Sequence, residues 1–157
     1  MLNIQLLIAK AMKKELYVND NILNLAGRNV LNELKTKFVD VKGEITNEVQ
    51  FKLLQKMKKD RENMISVYSE AFEKTKSENA KTNLTNAENE LIVVNDFLKE
   101  LEKEMPKKMS EAETKAFIEN ILATESMNKG MLMKTLKGNA NIEMAIAAKI
   151  VNQMEIK

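Results

Sequence analysis

Lysine, glycine and asparagine fall at short, regular intervals among apolar residues in one stretch, MNKGMLMKTLKGNANI, residues 127–142. Lys129, Lys134 and Lys137 flank Gly130 and Gly138, and Lys149 follows on the next apolar segment. An ammonium group supplies charge to a phosphate, and a glycine lets an anion approach backbone N–H groups that no side chain shields. A second set, Lys52, Lys56 and Lys59, is spaced to share one helix face. That spacing suits a phosphate-contacting ridge and equally an ordinary solvated face. Asp96, Glu100 and Glu104 form a carboxylate stripe at i, i+4 spacing, adequate in principle for a divalent cation but simpler as a charged edge. Met127, Met131 and Met133 invite a soft-metal site, yet 11 methionines spread along apolar faces are the usual filler of helical cores.

Other chemistry is excluded by composition. The chain has no Cys and no His, so disulfides, thiolate metal sites and the commonest general base are all missing. Neither an EF-hand loop, a phosphate-cradling glycine loop, a dinucleotide fingerprint nor a nucleophile–base pair is present. The expectation is a noncatalytic protein with no catalytic residues, no metal ligands, no cofactor and no small-molecule substrate.

Helices must position these residues. With four Gly and one Pro in 157 residues and abundant Ala, Leu, Met, Lys and Glu, the chain favours helix throughout. A first helix is predicted over Leu2–Leu16, with Ile4, Leu7, Ile8, Ala11 and Met12 on its apolar face. A second, entered at Asn19-Asp20, covers Asn21–Val39 and presents Ile22, Leu25, Ala26, Val30 and Leu34. Gly43 marks a loop and Thr46 a cap for a long third helix reaching about Lys76. Its seam is Leu54, Met57, Arg61, Met64, Tyr68 and Ala71. After a polar turn at Ser77–Lys81, Leu84, Ala87, Leu91, Val94, Leu98, Leu101 and Met105 alternate at three and four residues. Two such seams joined by a short turn pack as an antiparallel hairpin. Arg61 lies on the seam itself, where pairing with an acid such as Glu88 or Asp96 is expected.

Pro106 stops the fourth helix, and Glu104–Lys108 reads as a linker. Ser110 and Glu113 form a capping box, followed by short helices over about 111–123, 127–137 and 141–155. The stretch 127–142 is thus a helix, a glycine stop at Gly138, an asparagine start and a last, largely apolar helix. The expected fold is all-α: a helical bundle with a long antiparallel hairpin over 1–105, then a small three-helix subdomain over 106–157.

The net charge of +2 is unevenly spread. Residues 1–81 hold 15 basic and 11 acidic groups, residues 82–125 hold 5 and 10, and residues 126–157 hold 5 and 2. Electrostatic binding on such a chain is local and salt-sensitive. The apolar N-terminal run lacks the basic flank of a signal peptide, and no run approaches the ~18 apolar residues of a membrane span. A cytoplasmic protein without membrane contact is expected.

Gly130-Met-Leu-Met133-Lys134 and Gly138-Asn139-Ala140-Asn141 together resemble the tail of the B subunit of tRNA-dependent amidotransferases, in the GatB/YqeY family. That tail carries a glycine, then Val-Met-Lys two residues on, then a glycine, a basic residue, Ala-Asn and often Pro. Upstream, Glu102-Lys-Glu-Met-Pro-Lys-Lys-Met-Ser110-Glu-Ala-Glu is similar to the linker of the free-standing YqeY proteins, and Lys58-Lys-Asp-Arg61 through Ile65 and Tyr68 to one of their helices. The chain departs at Asn139, where the family has a basic residue, and at Ile142, where it often has proline. The spacing between the glycines is that of GatB rather than YqeY.

The resemblance implies a tRNA-holding module linked to amidotransferase chemistry (carbon–nitrogen ligation with glutamine as amido donor), without the body that performs it. The expected function is therefore a noncatalytic accessory that binds tRNA or another structured RNA. Scarce aromatic residues point to recognition by shape and backbone charge. The expected contacts are Lys129, Gly130, Lys134, Lys137, Gly138 and Lys149, with Lys52, Lys56 and Lys59. The alternative is a protein-interaction adaptor that docks on an amidotransferase, synthetase or other partner through its apolar last helix.

Overall fold

The computed structural model describes residues 1–154 and 156. Among these residues the chain forms seven helices and no strand: α1 (Ile4–Met12), α2 (Asn21–Val39), α3 (Asn47–Thr75), α4 (Glu78–Glu104), α5 (Glu111–Thr124), α6 (Lys129–Lys137) and α7 (Met144–Gln153). The protein is all-α, with a long hairpin in one compact unit, Met1–Met105, and three short helices in a second, Pro106–Lys157.

Six helices begin on a side chain that accepts a hydrogen bond from an otherwise orphaned N–H of the first turn. Asn3 accepts from Leu6, Asp20 from Leu23, Thr46 from Val49, Ser77 from Ala80, Ser110 from Glu113 and Asn128 from Met131. The Ser110–Glu113 capping box is complete in both directions. The amide of Ser110 donates to the Glu113 carboxylate, which holds that carboxyl below its usual pKa.

The α3–α4 hairpin turns more tightly than the polar run Ser77–Lys81 suggested. Lys76 alone adopts the left-handed conformation (φ 51°), Ser77 caps, and α4 is helical from Glu78. Leu54 and Met57 of α3 share a core with Val94, Leu98 and Leu101 of α4, and Ala87 of α4 is buried as well. Towards the turn, Met64 is exposed and Tyr68 and Ala71 are half-buried, because α3 and α4 there shield only one another. A second buried stripe on α4, Val93 and Phe97, lies outside the expected seam, since α4 also packs on α2.

Two N-terminal expectations change. First, α1 stops at Met12 instead of Leu16. The carboxamide of the buried Asn24 accepts from the Leu16 and Tyr17 N–H groups (3.1 Å each) and donates to the Tyr17 carbonyl (2.5 Å), which holds the connector in a non-helical path. Secondly, α2 is rotated about its axis from the expected face. Asn24, Ala26, Gly27, Val30, Leu31 and Leu34 are buried, whereas Ile22 and Leu25 are 64% and 59% exposed. α2 packs between α1 on one side and α4 on the other, so its buried arc widens past Gly27 and Leu31 and leaves Ile22 and Leu25 outside.

Arg61 is 7% exposed, and its partners are neither Glu88 nor Asp96. Its Nε donates to Glu90 of α4 (2.9 Å), and its two terminal nitrogens donate to the carboxylate of Glu33 of α2. Glu88 faces outwards, and Asp96 already accepts from the Tyr17 hydroxyl at 2.8 Å. Burial followed by that carboxylate raises the Tyr17 pKa, so the phenol remains a proton donor. The carboxylate stripe is thereby divided: Asp96 binds Tyr17, Glu100 pairs with Lys103, and Glu104 meets the N-terminal ammonium. Among the described residues no carboxylate cluster is arranged to hold a metal ion.

In the second unit α7 packs on both α5 and α6. Ala147, Ile150 and Val151 close a core with Ile118, Leu132, Leu136 and Ile142. α7 starts at Met144, three residues later than expected, on Glu143 with no side-chain cap, and α6 starts at Lys129 because Asn128 caps it. Among the described residues no helix is long and apolar enough to cross a membrane.

Replacing Arg61 with Ala leaves two carboxylates facing each other without their cation, at an expected cost of about 2–3 kcal/mol in urea unfolding, below the fully buried value because Glu33 is a third exposed. Burial pushes the Glu33 carboxyl up, but Arg61, helped by Lys37, outweighs that and holds it below the usual value of 4.5. A lowered folded pKa contributes stability that is present above the unfolded value and lost as pH falls through the folded one. Unfolding free energy of the native protein is expected to drop on acidification below about pH 4.5, and Arg61→Ala to flatten that drop. Equal pH slopes for the two proteins would contradict the assignment.

Candidate nucleic-acid interface

α6 carries Leu132 and Leu136 into the core, and everything opposite them is open. At about 100° per residue, Gly130, Lys134 and Lys137 fall within about 60° of arc on the far side. Met131, 55% exposed, borders that face. Lys129, on the first turn, is exposed but stands about 80° beyond Lys137, on the side towards Leu136. Among the described residues, Lys129, Lys134 and Lys137 make no ion pair, as is true of Lys52, Lys56 and Lys59 on the outer face of α3. Lys149 differs: from α7 it reaches Glu111 of α5 at 3.2 Å, which partly offsets its charge.

Gly138 ends α6 as expected, but neither glycine is demanded by packing within the fold. Gly138 caps α6 in the right-handed conformation (φ −73°), so the glycine stop is not a left-handed one. A Cβ on Gly130 would meet only the Asn128 Oδ1 at 3.5 Å, and one on Gly138 only the Thr135 carbonyl oxygen at 3.4 Å. Both are ordinary contact distances, so no internal packing demands glycine at either place. They leave bare backbone on the same side as Lys134 and Lys137.

Beyond Gly138 the chain turns without an asparagine helix start. The Asn139 Oδ1 accepts from the Asn141 N–H at 2.9 Å, a local bond that a lysine or arginine there could not make. The Ile142 N–H donates to the Asn139 carbonyl at 3.2 Å, and the Ile142 side chain is buried in the core. A proline would lose that N–H. Both departures from the GatB pattern thus hold the turn together.

Residues 108–109 are part of this site rather than a free linker. The Met109 N–H donates to the Asn141 carbonyl at 2.7 Å, and the Lys108 ammonium donates to the Ala140 carbonyl at 2.5 Å. The Pro106–Ser110 stretch and the Gly138–Asn141 turn, about thirty residues apart in sequence, are bonded side by side. Lys108 joins the cations around the turn, with exposed Lys107 beside it. Its only signal in the sequence was its place in the proline–lysine–lysine pattern, because hydrogen bonds between distant segments have no spacing rule.

Neither a protein-family model nor a curated protein sequence matches this chain.

Because nothing crowds them, Gly130→Ala is expected to raise the unfolding free energy of the second unit by about 0.5 kcal/mol, through reduced unfolded-state entropy, and Gly138→Ala to leave it unchanged or slightly raised. Urea unfolding of both variants measures this. A drop of more than about 1 kcal/mol in either would mean the glycine has an internal packing role after all.

Proposed function

We propose that this chain is a noncatalytic RNA-binding accessory of the GatB/YqeY type, which holds tRNA or a similarly folded RNA in the service of tRNA-dependent amidotransferase chemistry performed elsewhere. One observation carries the proposal. The two stretches most like that family, Pro106–Ser110 and Gly130–Asn141, meet through the Met109–Asn141 and Lys108–Ala140 hydrogen bonds. Beside that junction α6 presents unshielded backbone and lysines that make no ion pair among the described residues.

The mechanism is electrostatic. Lys134, Lys137 and Lys108 supply charge to phosphates, Gly130 and Gly138 let the RNA backbone come close, and the exposed Lys129 adds charge to one side of that face. Lys149, paired with Glu111, contributes less than the sequence suggested. Lys52, Lys56 and Lys59 offer a separate exposed ridge on the first unit. No aromatic side chain lies on α6, consistent with readout of shape rather than of stacked bases. The adaptor alternative loses its stated surface, because the apolar side of α7 is buried within its own unit.

A gel-shift titration with total tRNA at several salt concentrations tests the proposal. Lys134→Gln with Lys137→Gln is expected to weaken binding at least tenfold at low salt. The slope of log affinity against log salt should become shallower by about 0.7–0.9 for each phosphate that is no longer neutralised. Asn139→Lys, which restores the cation of the family pattern, is expected to strengthen binding even though it gives up the Asn139–Asn141 bond within the turn. No shift at low salt, or one that ignores the double substitution, would overturn the proposal.

A further inference from the structure

From the outward face of α1 and α2 we infer that the first unit is a docking surface for an acidic amphipathic helix of another protein. Leu25 stands at the centre. On one side of it, a cavity of about 160 Å³ between α1 and α2 is lined by Met12, Leu25, Ala11 and Asn21, with Lys14 and Arg28. On the other side, a cavity of about 80 Å³ between α2 and α4 is lined by Ile22, Leu25, Asn29, Asn86 and Asn89, with Glu90. Met12, Ile22 and Leu25 are each about 60% exposed, although sequence patterning assigned all three to the core.

The charge lining the larger cavity is one-sided. Lys14 and Arg28 line the larger cavity and make no ion pair among the described residues. The nearby acids are mostly engaged. Asp20 caps α2, Glu33 binds Arg61 and Lys37, Glu90 binds Arg61, and Glu15 and Glu88 are exposed. Lys14 also sits in the left-handed region (φ 60°), a conformation that glycine or asparagine adopts at lower cost.

Two separate dents about one leucine suit discrete side chains at helical spacing better than the continuous hydrocarbon of a bilayer. Their walls carry aliphatic groups and no aromatic ring, so they offer no stacking platform for a base. Both are smaller than the roughly 300–1,000 Å³ typical of a free ligand's pocket, which fits side chains of a longer partner. With no strand edge among the described residues for an extended peptide to join, a helix is the form left. Its apolar residues would enter the dents, and its carboxylates would meet Lys14 and Arg28.

A display library of helical peptides with Leu at i, i+3, i+4 and i+7 and polar positions randomised over Glu, Gln and Lys tests this on the full chain. Glu-rich peptides are expected to be enriched. Their affinity should fall at least tenfold with Arg28→Glu and with Leu25→Ser, and remain unchanged with Lys134→Gln. Lys14→Gly is expected to weaken them too, while unfolding at no lower urea concentration than the native protein. Absence of enrichment, enrichment of Lys-rich peptides, or peptides indifferent to both Arg28→Glu and Leu25→Ser would overturn the inference. It would equally be overturned if those two substitutions instead abolished binding to total tRNA, to phosphatidylserine vesicles or to a second copy of the chain in sedimentation. Because the tRNA test reads Lys134 and Lys137, either proposal can fail without the other.

Discussion

A guanidinium buried at the junction of three helices constrains the first unit more than any other single group. Removing Arg61 from water is costly unless each of its donors finds a carboxylate, and the two that serve come from different helices, Glu33 of α2 and Glu90 of α4. Apolar contacts in a hairpin tolerate small slips along or around a helix axis, but a forked charge does not. The pairing therefore sets the rotation of α2 against the hairpin. That rotation buries Gly27 and Leu31 and places Ile22 and Leu25 outside. The exposed apolar face beside Lys14 and Arg28 is thus a consequence of where α2 must stand to bring Glu33 to Arg61.

The second unit is organised by apolar burial instead. α7 is short and sits against both α5 and α6, so its apolar residues are consumed within the unit. With Leu132 and Leu136 held against that core, α6 has no freedom to hide Lys134 and Lys137. The turn after Gly138 is then secured by polar bonds, from Asn139 within it and from Lys108 and Met109 outside it. Hydrophobic packing determines which side of α6 is exposed, and local hydrogen bonding shapes the backbone that it presents.

Much of this was legible in the residues. Asp20, Thr46 and Ser110 begin helices because their short oxygens satisfy first-turn N–H groups, a property of a few consecutive residues. The hairpin seam was equally legible, since alternation at three and four residues has one efficient solution when two such helices are joined by a tight turn. Less legible were the early end of α1, which depends on Asn24 reaching back to Leu16 and Tyr17, and the role of Asn139, which depends on the path of a turn.

By itself, then, the sequence determined the helical character, the starts of α2, α3 and α5, the hairpin and the absence of histidine and cysteine chemistry, because each follows from composition or from interactions within a few residues. Only the tertiary structure decided the partners of Arg61, the exposure of Ile22 and Leu25, the pairing of Lys149 with Glu111 and the bonding of Met109 to Asn141. All four depend on how residues of different helices or loops are brought together. Which pairs meet is set by how whole helices rotate and stack, and periodicity along one helix carries no information about the neighbour it will face.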